Sequence, residues 1–447
     1  MATCYDALST RPFLYLAWTN TNSRQEATTL MDLEYEGVTM DRIIERFLRY
    51  IAVDTKSSEE AEGTPSTPGQ LTLAKMLRDE LLAMGAEDVV LDEHAYVYAK
   101  VPATTEKGKK AAKIGFLAHL DTSPALDGKC EHPQFVDYKG GDITLGHGFV
   151  MREKEFPALA KYQGKRLIMT DGSTLLGADD KAGVAAAMEL AQNLLEQRDI
   201  EHGDVFFAFC PDEEIGHGAS LLDLQRFAAD YAFTIDGGAV GELEYETFNA
   251  ASAKISIQGK SVHPGSAKNI MLNAADLACA FHALLPEAEK PQYTEGYEGF
   301  YMLERLEGNC DHASLHYIIR HHQRDKFEGM KAFMQKAVDF FNAKYGEIMT
   351  LEIKDSYYNM REKIEAHMEI VDDLIAAMRS CAIEPIIAPV RGGTDGSQLS
   401  WRGLPCPNFF TGGENFHGRY EFIPEDALGK TRDVALALVR RTVDKLD

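Results

Sequence analysis

Short apolar runs and longer stretches of helical period divide this chain. Residues 114–118, 205–209 and 231–235 are apolar on both faces, as in strands covered by helices on either side. Shorter strand-like segments fall at 87–91 and 95–101. Ile43, Ile44, Phe47, Leu48 and Ile51 share one face and predict a helix from about Met40. Thr67 suits an N-cap, Pro68 the first helical position and Gln70 the third. Ala74, Leu77, Leu81 and Met84 then form the apolar stripe of a second helix. An alanine-rich helix is predicted over 182–196. Residues 122–164, rich in Gly, Pro and His, read as a long surface excursion. Asp171-Gly172, between 166–170 and 173–177, signals a two-residue hairpin.

A different rhythm begins near residue 248. A strand (253–259), a helix (271–285), two strands (301–308 and 313–322) and a long helix follow. That helix is striped by Phe327, Met330, Met334, Ala337, Val338 and Phe341, and a last strand covers 349–358. The order β-α-β-β-α-β is that of a ferredoxin-like unit. It predicts an inserted domain over 248–360, splitting a larger α/β domain into 40–247 and 361–447. Residues 1–39 hold one apolar patch (13–18) and a polar run without period, which reads as a disordered or loosely attached extension.

The candidate chemistry lies where the apolar runs stop. One ends in His119-Leu120-Asp121, and residues two apart in a strand share a face. A carboxylate beside an imidazole is the usual support for a metal-bound histidine, though a strand-end His capped by an acid gives the same pattern. A second run stops at Pro211 and is followed by Asp212, Glu213 and Glu214; a third ends in Asp236-Gly237-Gly238. Asp179-Asp180 opens the alanine-rich helix, where one acid would serve as a cap and two exceed that need. In a doubly wound sheet such strand ends converge on one edge. One histidine with several carboxylates suits a dinuclear zinc-type site, and His417, in a glycine-rich loop, is a candidate for a further nitrogen ligand.

Composition narrows the classes. The chain of 447 residues exceeds one core and carries a net charge of −24, which argues against nucleic-acid and anionic-membrane partners. No apolar run reaches membrane-spanning length. Its seven cysteines form no CxxC pair, which suits reduced thiols and a cytoplasmic protein. No GxSxG, P-loop or GxGxxG string supports a serine-hydrolase or nucleotide reading.

The strings AHLDTSP, LLGADDKAG, PDEE, TIDGG and ENFHG occur in the order and at about the spacing of the dinuclear zinc exopeptidases related to carboxypeptidase G and succinyl-diaminopimelate desuccinylase. The fuller strings GGDITLG, NAASAKISIQGKSVHPGSAKN, TEGYEGFY, DSYYNMRE and RGGTDGSQLS resemble the tripeptide aminopeptidases of that family, from about Met40 to the C-terminus. The resemblance implies a mixed central sheet flanked by helices, with the inserted ferredoxin-like domain serving as lid and homodimer interface. It implies two Zn2+ per subunit, with Co2+ or Mn2+ as substitutes. His119 and Asp236 would hold one, Glu214 and His417 the other, and Asp179 would bridge them across a cis Asp179–Asp180 bond. Asp121 would orient His119, and Glu213 would act as general acid and base.

His263 stands where the family presents a substrate-contacting histidine from the neighbouring subunit; a loop-stabilising role beside Pro264 is the alternative. Arg391 and Arg320 are candidates for reading the peptide's far carboxylate, and either also suits a structural ion pair. The implied activity is removal of the N-terminal residue from tripeptides. A dipeptidase or N-acyl amino acid deacylase on the same metals is the alternative, and a non-catalytic binding protein is a third reading.

Overall fold

The apolar runs lie side by side in one sheet. In the computed structural model, which describes residues 34–35 and 38–446, its strands in chain order are β1 (Glu87–Leu91), β2 (Val97–Val101), β3 (Ile114–His119), β4 (Val205–Cys210), β5 (Tyr231–Gly237), β6 (Glu242–Glu244), β7 (Ile386–Ile387) and β8 (Asn408–Phe410). The spatial order is β7-β6-β8-β5-β3-β4-β2-β1. β8, β5, β3 and β4 run parallel, while β2 pairs antiparallel with β4 and β6 antiparallel with β8, so the sheet is mixed. Every residue of β3 and β4 is buried, as their two apolar faces require. Cys210 pairs with His119 in register, which brings the carboxyl ends of these strands level.

Helix α1 (Arg42–Ile51), α2 (Pro68–Met84) and α3 (Ala178–Glu196) pack beside this sheet, with α3 against β3 and β5 and covered in turn by α1 and the helix Glu425–Asp444. Gly183 permits the close approach of α3, because a Cβ there would run into the Ile235 carbonyl oxygen and the Asp180 carboxylate. The buried face of α1 differs from the expected stripe. Leu48 is half-buried, and Arg46 is buried instead, paired with Glu189 of α3 and Glu80 of α2. Thr67 does precede α2, but its side chain caps no N–H. The Gln70 amide instead reaches Asp212, donating at 2.6 Å and accepting the Asp212 N–H at 3.0 Å.

Two further expectations give way. The excursion at 122–164 has a small core of its own, in which Tyr138, Ile143, Leu145, Met151 and Leu159 pack against Leu167, Met169 and Phe422. The Asp171-Gly172 turn does not make a hairpin. Arg166–Met169 pairs with Gln134–Asp137 and Phe422–Pro424, and 173–177 joins no strand. A turn signal sets local geometry only; long-range partners took the strand.

Residues 249–357 build a second, separate sheet. Its strands Asn249–Gln258, Phe300–Gly308, His312–His321 and Met349–Tyr357 are all antiparallel, and the third in chain order lies between the first and second. Helices Ala274–His282 and Arg324–Tyr345 cover one face, and the six striped residues of the longer helix are buried there. This is the ferredoxin-like arrangement. Glu34–Tyr35 pairs with Val38–Thr39 within the unit that ends at Asp41. The expectation for 1–39 otherwise falls outside the described residues. Among the described residues no helix is long and apolar enough to cross a membrane.

Candidate metal centre and active site

At the carboxyl edge of the main sheet, six side chains from five chain segments meet. His119 closes β3, Asp179 and Asp180 open α3, Glu214 follows β4, Asp236 lies near the end of β5, and His417 comes from the loop after β8. His119 Nε2 lies 2.9 Å from Asp179 Oδ1 and 3.4 Å from Asp236 Oδ1. His417 Nε2 lies 3.0 Å from Asp179 Oδ2 and 2.9 Å from Glu214 Oε2. Asp179 therefore turns one carboxylate oxygen to each histidine. Glu214 Oε1 is buried and has no hydrogen-bond partner. Such an oxygen is costly unless a cation or proton meets it.

Charge explains the histidines. Burial opposes protonation of His119, but Asp236 and hydrogen bonds with Asp121, Asp179 and Asp236 hold its pKa well above the ordinary value. Hydrogen bonds to Asp179 and Glu214 raise His417 to about 11. Burial pushes Asp179 up, yet the hydrogen bonds from both histidines leave it far below the carboxylate range. Burial, with Asp179 nearby, lifts Glu214 to about 7, and burial and Asp236 lift Glu213. Imidazole nitrogens and carboxylate oxygens facing one another at these distances fit a site for divalent cations.

Donor atoms of His119, Asp179 and Glu214, and of His119, Asp180 and Asp236, approach closely enough to share an ion. Asp180 has another use. Its Oδ2 accepts the His119 N–H at 3.0 Å and its Oδ1 the Gly183 N–H at 3.1 Å, so it ties β3 to α3. The Asp179–Asp180 bond is cis.

Asp121 does more than flank His119. Its carboxylate accepts the N–H groups of Glu213 at 3.0 Å and Glu214 at 3.1 Å. The His119 Nδ1 lies nearer the Asp121 carbonyl oxygen, at 3.1 Å, than its carboxylate, at 3.4 Å. Either contact leaves Nε2 free to face the cluster. Asp212, the first acid of its string, points elsewhere and is held by Ser66 and Gln70. Its left-handed backbone (φ 58°) starts the turn that delivers Glu213 and Glu214.

The substrate-side candidates differ in how they are held. Arg391 donates to the carbonyl oxygens of Gly296 and Glu298 and to Thr294 at 2.8–2.9 Å, and it lies over the rings of Phe248 and Phe300. Those bonds pin the 294–298 loop and use three of the guanidinium's five N–H groups. Arg320 donates to Ala251 and Ile319 through Nη1 and lies over Tyr357, a ring whose hydroxyl is raised by burial and by Glu213. His263 is exposed on the inserted domain and accepts the Gly265 N–H through Nδ1 at 3.1 Å. A neutral ring bonded in this way carries its proton on Nε2. None of the cluster contacts above involves His263.

Two contributors stand outside the site residues expected from the sequence. Asp395 is buried with Oδ1 unpartnered, and burial lifts its carboxyl to about 7. Asn408 accepts the Asp236 N–H at 3.1 Å and donates to Glu244 at 2.6 Å, setting the end of β5. Asn408 opens β8 and Asp395 opens the helix Asp395–Trp401, and a single polar residue at such a position gives no pattern to find.

The fold, with its inserted unit, is that of the M20 peptidases. A model of the peptidase dimerisation domain matches residues 245–349, and one described as M42 glutamyl aminopeptidase matches residues 166–270. The chain is 50% identical over 404 residues to a peptidase T of Alkaliphilus oremlandii, covering 90% of this chain and 99% of the relative. It is 53% identical over the same length to a peptidase T of Bacillus velezensis, covering 90% and 98%. Its fold is similar to that of the aminopeptidase PepT of Bacillus cereus, with a TM-score of 0.71 at 25% identity over 90% of this chain and 98% of that one. The chain belongs to the peptidase T family.

Proposed function

We propose that this chain is a two-metal tripeptide aminopeptidase. The observation that carries the reading is Asp179, which offers one oxygen to the side of His119 and the other to the side of His417, beside the unpartnered Glu214 oxygen. In this reading His119 and Asp236 would hold one Zn2+, Glu214 and His417 the other, and Asp179 would serve both. Bound cations would polarise the scissile carbonyl and acidify a water at neutral pH.

The remaining steps belong to the chain. Glu213 takes a proton from the attacking water and passes it to the leaving amine of the second residue. Its neighbour Glu214 serves as ligand, and the Asp121 carboxylate keeps the two in order by holding both their N–H groups. The acidic cluster offers counter-charge to the substrate's α-amine, and Arg320 is the better placed of the two arginines to meet the far carboxylate. His263, from the lid of a second copy, would donate to the carbonyl oxygen as charge develops there. A homodimer through the inserted domain follows from that role. The six described cysteines are all unpaired, in keeping with a cytoplasmic setting.

The test is hydrolysis of di-, tri- and tetrapeptides and N-acyl amino acids, with and without a chelator. Tripeptides should lose their N-terminal residue fastest, and the chelator should stop the reaction. Preference for N-acyl amino acids or dipeptides, or insensitivity to the chelator, would overturn the assignment.

A further inference from the structure

We infer that Glu421 is a positioning residue that couples the loop carrying His417 to the segment carrying Asp179, and thereby sets the affinity for both metals. The inference rests on the two-metal reading above. Glu421 follows His417 by four residues and is 1% exposed. Its Oε2 accepts the N–H groups of Leu176 at 2.8 Å and Gly177 at 3.0 Å. Its Oε1 accepts those of Ala178 at 2.7 Å and Asp179 at 3.2 Å. An ionised carboxylate has about four acceptor positions, and here four successive amides of one segment take them.

This arrangement answers where the backbone donors of the failed hairpin went. Residues 176–179 have no strand partner, and amides at the start of a helix have no intrahelical acceptor. Glu421 supplies the acceptor from the end of the loop that carries His417. Its own position is set by the bridge that closes the His417 loop, with Glu414 N–H to Phe422 O at 2.9 Å and Phe422 N–H to Glu414 O at 3.1 Å. One side chain thus joins the backbone of the shared ligand to the loop of a terminal ligand, whose side chains meet at 3.0 Å. Charge-assisted bonds are the stronger kind, and a neutral amide cannot replace them, since its NH2 would face two N–H donors. A loosened Asp179 would misplace an oxygen at each ion.

The test is Zn2+ titration of chelator-treated wild type and Glu421→Gln against a competing indicator, with circular dichroism to establish folding. Glu189→Gln, which breaks a buried ion pair between α1 and α3 away from the cluster, is the control for general destabilisation. Wild type should take up two ions, and Glu421→Gln should bind both about 10- to 100-fold more weakly. Glu189→Gln should melt earlier with metal affinity unchanged. Wild-type affinity in folded Glu421→Gln, or equal loss in Glu189→Gln, would overturn the role. A wild type that binds no metal would instead remove the two-metal reading itself. If Glu421→Gln does not fold, hydrogen exchange on metal-free wild type decides. The amides of 176–179 should be protected before any metal is added, and exchange at the rate of exposed loops would overturn the inference.

Discussion

Two pairs of histidines in this molecule have opposite electrostatics. His119 and His417 face carboxylates, which hold both pKa values above the ordinary one, His417 at about 11. His321 and His322, where the inserted sheet joins the main domain, are pushed down to about 4, chiefly by burial. His321 Nδ1 accepts the Gln323 N–H, and His322 lies 3.1 Å from the Val390 carbonyl oxygen. The inserted domain is the richer in histidine, yet among the described residues its imidazoles join no metal-ligand cluster. What marks a candidate ligand is the company of carboxylates at the ends of buried strands, not the local density of histidine.

The contrast between the two histidine pairs depends most on the shared carboxylate. Asp179→Asn should empty both metal positions and remove activity, as read by metal analysis and peptide hydrolysis together; loss of one ion alone would contradict the bridge. Glu213→Gln should keep both ions and lower kcat by about a hundredfold or more, the low end for a general base. Wild-type turnover in that variant would place the base elsewhere. Arg320→Ala should raise KM for a tripeptide more than for the same tripeptide amide, because the amide has no carboxylate to lose. Equal effects on both would make Arg320 structural.

The smallest effect concerns the junction pair. A histidine kept neutral below its unfolded pKa of about 6.5 binds fewer protons when folded, so it withdraws stability as pH falls from about 6.5 toward 4. His322→Asn should flatten that part of the stability curve, followed by thermal melting, and leave metal content unchanged. Metal loss in His322→Asn would erase the distinction drawn here.

Much of the fold was legible because its signals are periodic. Both-faced apolar runs marked β3, β4 and β5, and the stripe from Phe327 to Phe341 marked the long helix of the inserted domain. Acids and a histidine ending apolar runs drew attention to His119, Glu213, Glu214 and Asp236, which the sheet does gather at one edge. What escaped is what depends on distant partners. Arg46 enters the core because Glu189 and Glu80 await it, and Gln70 leaves its expected capping place for Asp212. Asp171-Gly172 promised a hairpin, but Phe422–Pro424 and Gln134–Asp137 took the strand and Glu421 took the amides. Arg391 also ties down the distant 294–298 loop, a contact its own neighbours in the chain do not announce. Such exchanges join residues far apart in the chain and leave no local pattern.

In the proposed site the histidines at this sheet edge, with Asp179 between them, serve two ions. Metal content at saturation tests this most directly, measured alongside activity as metal is returned to the chelated protein. Two divalent ions should bind per chain, with full activity only when both are present. One ion per chain with full activity would contradict this.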